Sequence, residues 1–176
     1  MYYVIQVKTG NEDKTIEEIQ RFNTNTSSDF EIFTPSRQML RKIKGEYKTV
    51  TERCFPGYIF VKTDDPKKLF YDLYWVPEFT KLLGREDKST YFFNPLREEE
   101  ERMIDILYRK EDDRSTAISD IEVQEGDKIR ILNGPLRDME GFIKKTNFHK
   151  RKVIIEIPLF NRMVEVSVGI NIVMKV

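Results

Sequence analysis

The sequence predicts the α+β fold class, with two domains joined by a linker, and three observations support this. Residues 1–110 give the element order β-α-β-β-α-β-α, which is typical of a ferredoxin-like sandwich. Residues 111–120 are polar and lack hydrophobic periodicity, as expected of a linker. Residues 121–176 contain short β-branched segments separated by turns, which predicts a small five-stranded closed barrel.

The first elements have clear local signals. Aromatic and β-branched side chains predict a strand over Tyr2–Val7. Asn11 can cap a following helix, whose inward face would be formed by Ile16, Ile19 and Phe22.

A β-hairpin is predicted after the polar run 23–29, which we expect to be a loop. Extended residues 30–40 lead towards a turn at Gly45, and the return strand ends in residues 55–61.

Two more helices are expected in the first domain. Asp65 and Pro66 signal the start of one. Its inward side chains would be Leu69, Phe70, Leu73 and Tyr74. A short strand is expected at 79–83, and Asn94 with Pro95 is expected to start the last helix.

The barrel prediction depends on apolar β-branched runs in the second domain. The predicted strands are 128–132, 141–143, 153–157, 163–166 and 170–173. Turn pairs such as Gly134-Pro135 separate them.

Composition limits the functional classes. Of 176 residues, 39% are hydrophobic, which is enough for packed cores. Lys+Arg and Asp+Glu both number 30, so affinity for nucleic acid must come from local clusters. The single Cys54 cannot form an internal disulfide. No apolar run reaches the roughly 18 residues of a membrane helix, and residues 1–3 lack a basic signal-peptide start. We therefore expect a cytoplasmic monomer without a membrane partner.

Enzymatic function is not indicated. His149 is the only histidine and has no evident carboxylate or nucleophile partner, so the sequence offers no catalytic triad. It also has no phosphate-binding glycine loop of the Walker type. We expect no catalytic residue, no metal and no cofactor.

Phe55, Pro56 and Tyr58 form a candidate apolar surface. Proline cannot donate to a strand ladder, so the segment should lie at a strand start or edge. Aromatic anchors of this kind are common in protein interfaces. A simple bend before a strand would give the same pattern.

The predicted hairpin is a candidate for contacting DNA phosphates. Its cations are Arg37, Arg41, Lys42, Lys44 and Lys48. An ordinary solvated hairpin tip is the alternative, and Glu46 partly offsets the charge.

A second basic cluster lies in the C-terminal domain, where residues 141–152 contain no acid. Its cationic residues are Lys144, Lys145, His149, Lys150, Arg151 and Lys152. Phe148 can stack on a base, as aromatic side chains do in RNA-binding proteins. An ordinary charged hairpin is the alternative.

Two motifs resemble a known family. Residues 54–64, with Phe-Pro-Gly-Tyr, resemble the signature of the NusG N-terminal (NGN) domain. Residues 125–136, followed by Gly141, resemble the SH3-like KOW barrel of the same family. The likeness spans nearly the whole chain, with both motifs in the family order.

The resemblance implies a factor that binds the clamp helices of the RNA polymerase large subunit. The implied contact residues are Tyr2, Tyr3, Phe55, Pro56, Gly57 and Tyr58. Because neighbouring strand residues face opposite sides, Tyr2 and Tyr3 cannot contribute equally. Non-template DNA is a further candidate partner, through the basic hairpin.

Two departures suggest a specialised member. Leu136 stands where general NusG proteins have a recruiting phenylalanine, and Phe160-Asn161-Arg162 replaces their Phe-Gly-Arg. The turn at 149–152 is most similar to the LoaP paralogues. That likeness implies processive antitermination with recruitment by a structured leader RNA hairpin, and it adds Arg162 to the candidate nucleic-acid contacts.

Two alternatives remain open. One is a housekeeping NusG that couples polymerase to the ribosome or to Rho. The other is a ribosome-associated protein, because KOW modules also occur there.

Overall fold

A computed structural model describes residues 1–23, 30–85 and 92–176; most of the predicted loop 23–29 lies outside these ranges. In chain order the strands and α-helices are β1 (Tyr2–Val7), α1 (Glu12–Asn23), β2 (Glu31–Phe33), β3 (Ser36–Ile43), β4 (Glu46–Arg53), β5 (Tyr58–Lys62), α2 (Pro66–Asp72), β6 (Thr80–Leu82), α3 (Glu98–Leu107), β7 (Ser115–Thr116), β8 (Ser119–Gln124), β9 (Lys128–Asn133), β10 (Ile143–Asn147), β11 (Lys152–Leu159) and β12 (Arg162–Lys175).

The described residues form two compact units. The first comprises Met1–Pro35 and Phe55–Glu101, and the second comprises Ser36–Cys54 and Arg102–Val176. This division differs from the predicted 1–110 and 121–176, because the β3–β4 hairpin groups with the C-terminal residues.

The first unit is built on an antiparallel sheet with the strand order β2-β5-β1-β6. Tyr3, Ile5 and Val7 alternate with side chains on the other face of β1 and belong to one buried cluster. The helices contribute Ile19, Leu69 and Leu73 to that cluster. This arrangement confirms the predicted α+β class for this part of the chain.

Two predicted core residues are exposed instead. Phe22 is 43% exposed because it lies at the margin of the buried face centred on Ile19, in the last turn of α1. Tyr74 is 70% exposed because α2 ends at Asp72 and tightens into a 3₁₀ turn, which rotates the following side chains.

The last helix of this region begins later than predicted. The N–H groups of Asn94 and Leu96 donate to Gly84 O and Tyr2 O, at 2.9 and 2.8 Å, so this segment is extended. Helix α3 starts at Glu98, and the Glu100 carboxylate accepts a hydrogen bond from Arg97 N at 2.9 Å. The predicted start at Asn94 is therefore wrong.

The second unit contains a five-stranded sheet with the order β10-β11-β12-β8-β9. Its pairs are antiparallel except for β12 with β8, which is parallel. Within 92–176, where every residue is described, β9 and β10 are the edges of this sheet and do not pair with each other. The structure thus shows an open five-stranded sheet where a closed barrel was expected.

The predicted strands of the second domain differ from the structure in two places, and one observed strand was not predicted. Residues 163–166 and 170–173 belong to the single strand β12, because Gly169 continues the strand instead of turning it. The expected strand 141–143 is mostly a 3₁₀ turn, Glu140–Phe142. The unpredicted strand β8 has alternating buried residues, which is the pattern of a half-buried strand.

Residues 111–120 are ordered by hydrogen bonds rather than forming the expected linker. Ser36 N donates to Arg114 O at 3.0 Å, and β7 pairs in parallel with β3. The Thr116 hydroxyl donates to Leu107 O at 2.8 Å. These bonds fix the approach to β8.

Gly134 is the tightest turn position in the second unit. Its φ is 97° and its ψ is −178°, a conformation that is essentially restricted to glycine. A Cβ there would lie 2.6 Å from Ser119 Oγ and 2.7 Å from Ser119 Cα.

We expect Gly134→Ala to lower the free energy of unfolding by at least about 3 kcal/mol, since backbone strain adds to displacement of Ser119. Gly126→Ala is the matched control, because Gly126 has φ 75° but open space around its Cβ. The control should cost only about 1–2 kcal/mol. Equal urea midpoints for the two variants would contradict the steric role of Ser119.

Candidate functional site

The loop before β5 is held by one buried carboxylate. Glu12 is fully buried; its Oε1 accepts from Gly57 N at 2.7 Å and its Oε2 from Gly10 N at 2.8 Å. Val7 N also donates to Gly57 O at 2.9 Å. Gly57 has φ 84°, and a Cβ there would lie 3.0 Å from Thr9 Oγ1. The segment Pro56–Tyr58, which we call the docking loop, therefore has a fixed backbone.

Only part of the expected polymerase contact set is accessible. Tyr2, Tyr3, Phe55 and Gly57 are buried, whereas Pro56 is exposed and Tyr58 is half-buried. The accessible part of the docking loop is thus formed by Pro56 and Tyr58.

The buried aromatics of this set support the sheet instead. Tyr2 contacts Phe33 edge-on at 5.9 Å between ring centroids. Phe33 stacks on Phe60 at 5.8 Å, and Phe60 contacts Phe55 at 5.7 Å. This row of rings lies behind the docking loop and leaves Tyr2 beside Lys62, at the opposite end of β5 from Tyr58.

Nothing in the sequence signals the role of Glu12. Its position in the first turn of α1 is that of an acid that complements the helix dipole. The contact with Gly57 joins residues 45 positions apart and depends on the pairing of β1 with β5.

A group of exposed aromatics was also not expected. Tyr74 and Trp75 are 70% and 72% exposed, and Phe79 is 62% exposed. Of these three, Tyr74 lines a cleft of 530 Å³ in the first unit. The cleft is lined by Phe70, Leu73, Tyr74, Thr80, Lys81, Leu82 and Arg85.

The hairpin cations divide into paired and unpaired groups. Arg37 Nη2 and Arg41 Nε donate to Glu52 at 3.3 and 3.0 Å. Partial burial alone would raise the pKa of Glu52, but hydrogen bonds and charge from Arg41 and Arg37 hold it below the usual value. Lys42 and Lys44 are exposed towards the tip.

The C-terminal basic residues surround the turn between β10 and β11, as expected. Asn147 Oδ1 accepts from Lys150 N at 2.9 Å, and Ile170 N donates to Arg151 O at 2.9 Å, so the turn is ordered. His149 and Lys150 are exposed, whereas Phe148 and Arg151 are half-buried. We call residues 148–152 the basic turn; Lys145 is exposed on β10 beside it.

Two of the predicted nucleic-acid contacts, Lys144 and Arg162, are not part of the basic turn. Lys144 forms ion pairs with Glu165 at 2.8 Å and Glu156 at 3.1 Å, and these acids raise its pKa. Arg162 pairs with Leu159, seven residues along β11 from Lys152, which corresponds to about 23 Å. The structure thus does not place Arg162 beside the basic turn.

The described part of the chain contains neither a cluster of metal ligands nor a membrane-spanning helix. None of the described Asp, Glu, His and Cys residues form a cluster suited to a metal ion. No described helix is long and apolar enough to cross a membrane.

Comparisons with known proteins agree on one family. The family model described as "Transcription termination factor nusG" matches residues 1–105. The "Transcription termination/antitermination protein NusG" of Helicobacter pylori is 25% identical over 171 residues, covering 95% of this chain and 93% of that protein. The protein of the same name from Thermus thermophilus is 24% identical over 187 residues, covering 99% and 97%.

A solved structure has the same fold. It is described as "Domain interaction in Thermotoga maritima NusG" and has a TM-score of 0.54 at 20% identity, covering 96% of this chain and 92% of its own. Together, the matches define a transcription factor and not an enzyme. The chain belongs to the NusG family of transcription termination and antitermination factors.

We expect Glu12→Ala to destabilise the protein, since the buried Gly57 N–H loses its acceptor at a cost of about 1–3 kcal/mol. Glu17→Ala is the matched control, because Glu17 is exposed on the same helix and should change stability by less than about 0.5 kcal/mol. Urea denaturation compares the two. A Glu12→Ala midpoint equal to the control would show that the carboxylate does not hold the docking loop.

Proposed function

We propose that the protein is an elongation factor that binds the clamp helices of the RNA polymerase large subunit and suppresses pausing and termination. It is recruited by an RNA hairpin that the C-terminal sheet grips through the basic turn. The observation that carries this proposal is the docking loop, a proline-stiffened apolar segment whose backbone is fixed by Glu12.

A rigid docking loop favours binding, because little conformational entropy is lost when it meets a partner. Pro56 and Tyr58 supply an apolar contact and an aromatic anchor. A factor that bridges the polymerase cleft suppresses pausing only by binding the closed clamp more tightly than the open one. The protein would act as such a bridge in the cytoplasm, as a monomer.

The basic turn supports the RNA arm of the proposal. Its exposed cations can neutralise phosphates, and Phe148 lies among them with part of its ring accessible. Identity of the five-stranded C-terminal sheet as the KOW module of the family is part of this proposal. The hairpin cations Lys42 and Lys44 are candidates for contacting non-template DNA.

Leu136 supports assignment to the specialised LoaP branch. The resemblance implies that general NusG proteins use an aromatic residue at this position for recruitment. Here Leu136 is fully buried, and its N–H donates to Ser119 Oγ at 3.1 Å. A buried leucine cannot present that contact, so RNA recruitment is favoured over coupling to the ribosome or Rho.

The names of the curated relatives favour a second candidate, a housekeeping NusG. Those proteins are termination/antitermination factors and match over nearly their full length. Recovery of Rho or ribosomal protein with the tagged protein, together with no preference for hairpin RNA, would support this candidate. Co-sedimentation with ribosomes without polymerase would instead support a ribosome-associated protein.

We expect Tyr58→Ala to weaken binding to purified RNA polymerase while RNA binding is retained, because the loop loses its anchor. Phe55→Ala should add to the loss by removing the ring that contacts Phe60. Tyr74→Ala is the control, since it removes an exposed tyrosine elsewhere in the same unit. Normal polymerase affinity of the Phe55→Ala/Tyr58→Ala variant would exclude the docking model.

We expect the triple glutamine variant of Lys150, Arg151 and Lys152 to bind hairpin RNA more weakly and with a flatter salt dependence. The control replaces Lys128, Arg130 and Lys175, which removes the same charge elsewhere on the sheet. Binding titrations over a range of KCl concentrations give both slopes. Identical slopes for the two variants would count against the basic turn as the RNA site.

A further inference from the structure

The basic turn lies against the β3–β4 hairpin within the second unit. The Arg151 guanidinium lies 4.8 Å from the centroid of the Tyr47 ring on β4, a cation–π contact. Nearby, β12 approaches β3 so closely that a Cβ at Gly169 would lie 2.5 Å from Gln38 O. Ile170 N, the next residue, donates to Arg151 O. The turn, β12 and the hairpin are therefore packed as one body.

The two faces of the hairpin are distinguished by strand register. Lys42 lies directly opposite Tyr47, so their side chains share a face. Arg41 and Lys48 form the neighbouring pair, and their side chains lie on the other face. Because Arg151 contacts Tyr47, the basic turn adjoins the face that carries Lys42.

The basic side chains around Tyr47 are not compensated by acidic residues of the described chain. In residues 1–23, 30–85 and 92–176, no ion pair involves Lys42, Lys44, His149, Lys150 or Arg151. Arg151 Nη1 is also buried without a hydrogen-bond acceptor in those ranges. By contrast, Arg37, Arg41 and Lys144 are all paired with glutamates. The unpaired cations thus come from both elements that meet at Tyr47.

We propose that Lys42, Lys44, Tyr47 and the basic turn form one composite surface that binds the stem of an RNA hairpin. This inference rests on the proposed function, because it takes RNA as the ligand of the basic turn. It differs from the proposed function at one point, because it assigns Lys42 and Lys44 to the same RNA in place of non-template DNA.

The two phosphate backbones of an RNA stem match a surface with two separate cationic elements. An RNA stem presents phosphates on two strands across a shallow minor groove and is recognised mainly by shape. The turn can contact one strand while the hairpin tip contacts the other. Tyr47 lies between the two elements and is 43% exposed. Its ring contacts Arg151, and its exposed edge can contact the riboses of the stem.

The test uses two single substitutions that remove the same charge from opposite faces of the hairpin. Lys42→Gln acts on the proposed surface, and Lys48→Gln is the matched control. The probes are a synthetic RNA stem-loop with a stem of roughly 16 base pairs, the length that double-stranded RNA-binding domains span, and a DNA duplex of the same sequence. Full-length protein is titrated at several KCl concentrations, and circular dichroism checks the fold.

We expect Lys42→Gln to weaken RNA stem binding several-fold and to reduce the salt slope by about 1, as for one lost phosphate contact. Lys48→Gln should match the unmodified protein. Tyr47→Leu should also weaken binding, whereas Tyr47→Phe, which keeps the ring under Arg151, should retain it.

Three results would overturn the inference. If Lys42→Gln binds RNA like Lys48→Gln while the Lys150/Arg151/Lys152 variant is defective, RNA is held by the turn alone and the proposed function stands. The same holds if Lys42→Gln impairs only DNA binding, which would make the hairpin a DNA contact. If the unmodified protein binds no stem-loop, the RNA arm of the proposed function fails together with this inference.

Discussion

The contact between the Glu12 carboxylate and the Gly57 N–H is the constraint on which the first unit depends. It joins the start of α1 to the loop before β5 and fixes a glycine in a left-handed conformation. Burying a carboxyl group is costly unless it is hydrogen-bonded. Here two backbone N–H groups satisfy it, so the same contact stabilises α1 and shapes the loop. One residue therefore holds the helix start and the loop together.

Charge compensation, more than charge content, distinguishes the basic elements of the second unit. Glu52 forms ion pairs with both Arg37 and Arg41, and Lys144 forms ion pairs with Glu156 and Glu165. Such pairs contribute little to stability at a protein surface, but they occupy donors that a phosphate would otherwise use. Most cations of the basic turn lack such partners. The sequence alone does not show which cations are paired, so it overstates the number that are free to contact a phosphate.

Local signals in the sequence were sufficient where one face of an element is buried. The hairpin turn at Gly45, the Asp65 cap of α2 and the turn between β10 and β11 are all observed. Local signals were insufficient where tertiary contacts determine the exposure or the secondary structure of a residue. Tyr74 is exposed because a helix tightens, and residues 115–116 become a strand only by pairing with β3. The apolar segment Pro56–Tyr58 could be selected as a candidate from its residues, whereas its support by Glu12 depends on the sheet register.

The strand β12 has a consequence for the order in which the protein matures. Its second half provides the partner of β8, and Val176 N also donates to Val123 O. During translation β8 leaves the ribosome before β12 has been synthesised. The same is true of the β3–β4 hairpin, which packs near Gly169 of β12. The residues of the first unit are all synthesised by Glu101. In a nascent chain, all residues of the first unit would thus be present before the C-terminal sheet has its strand β12.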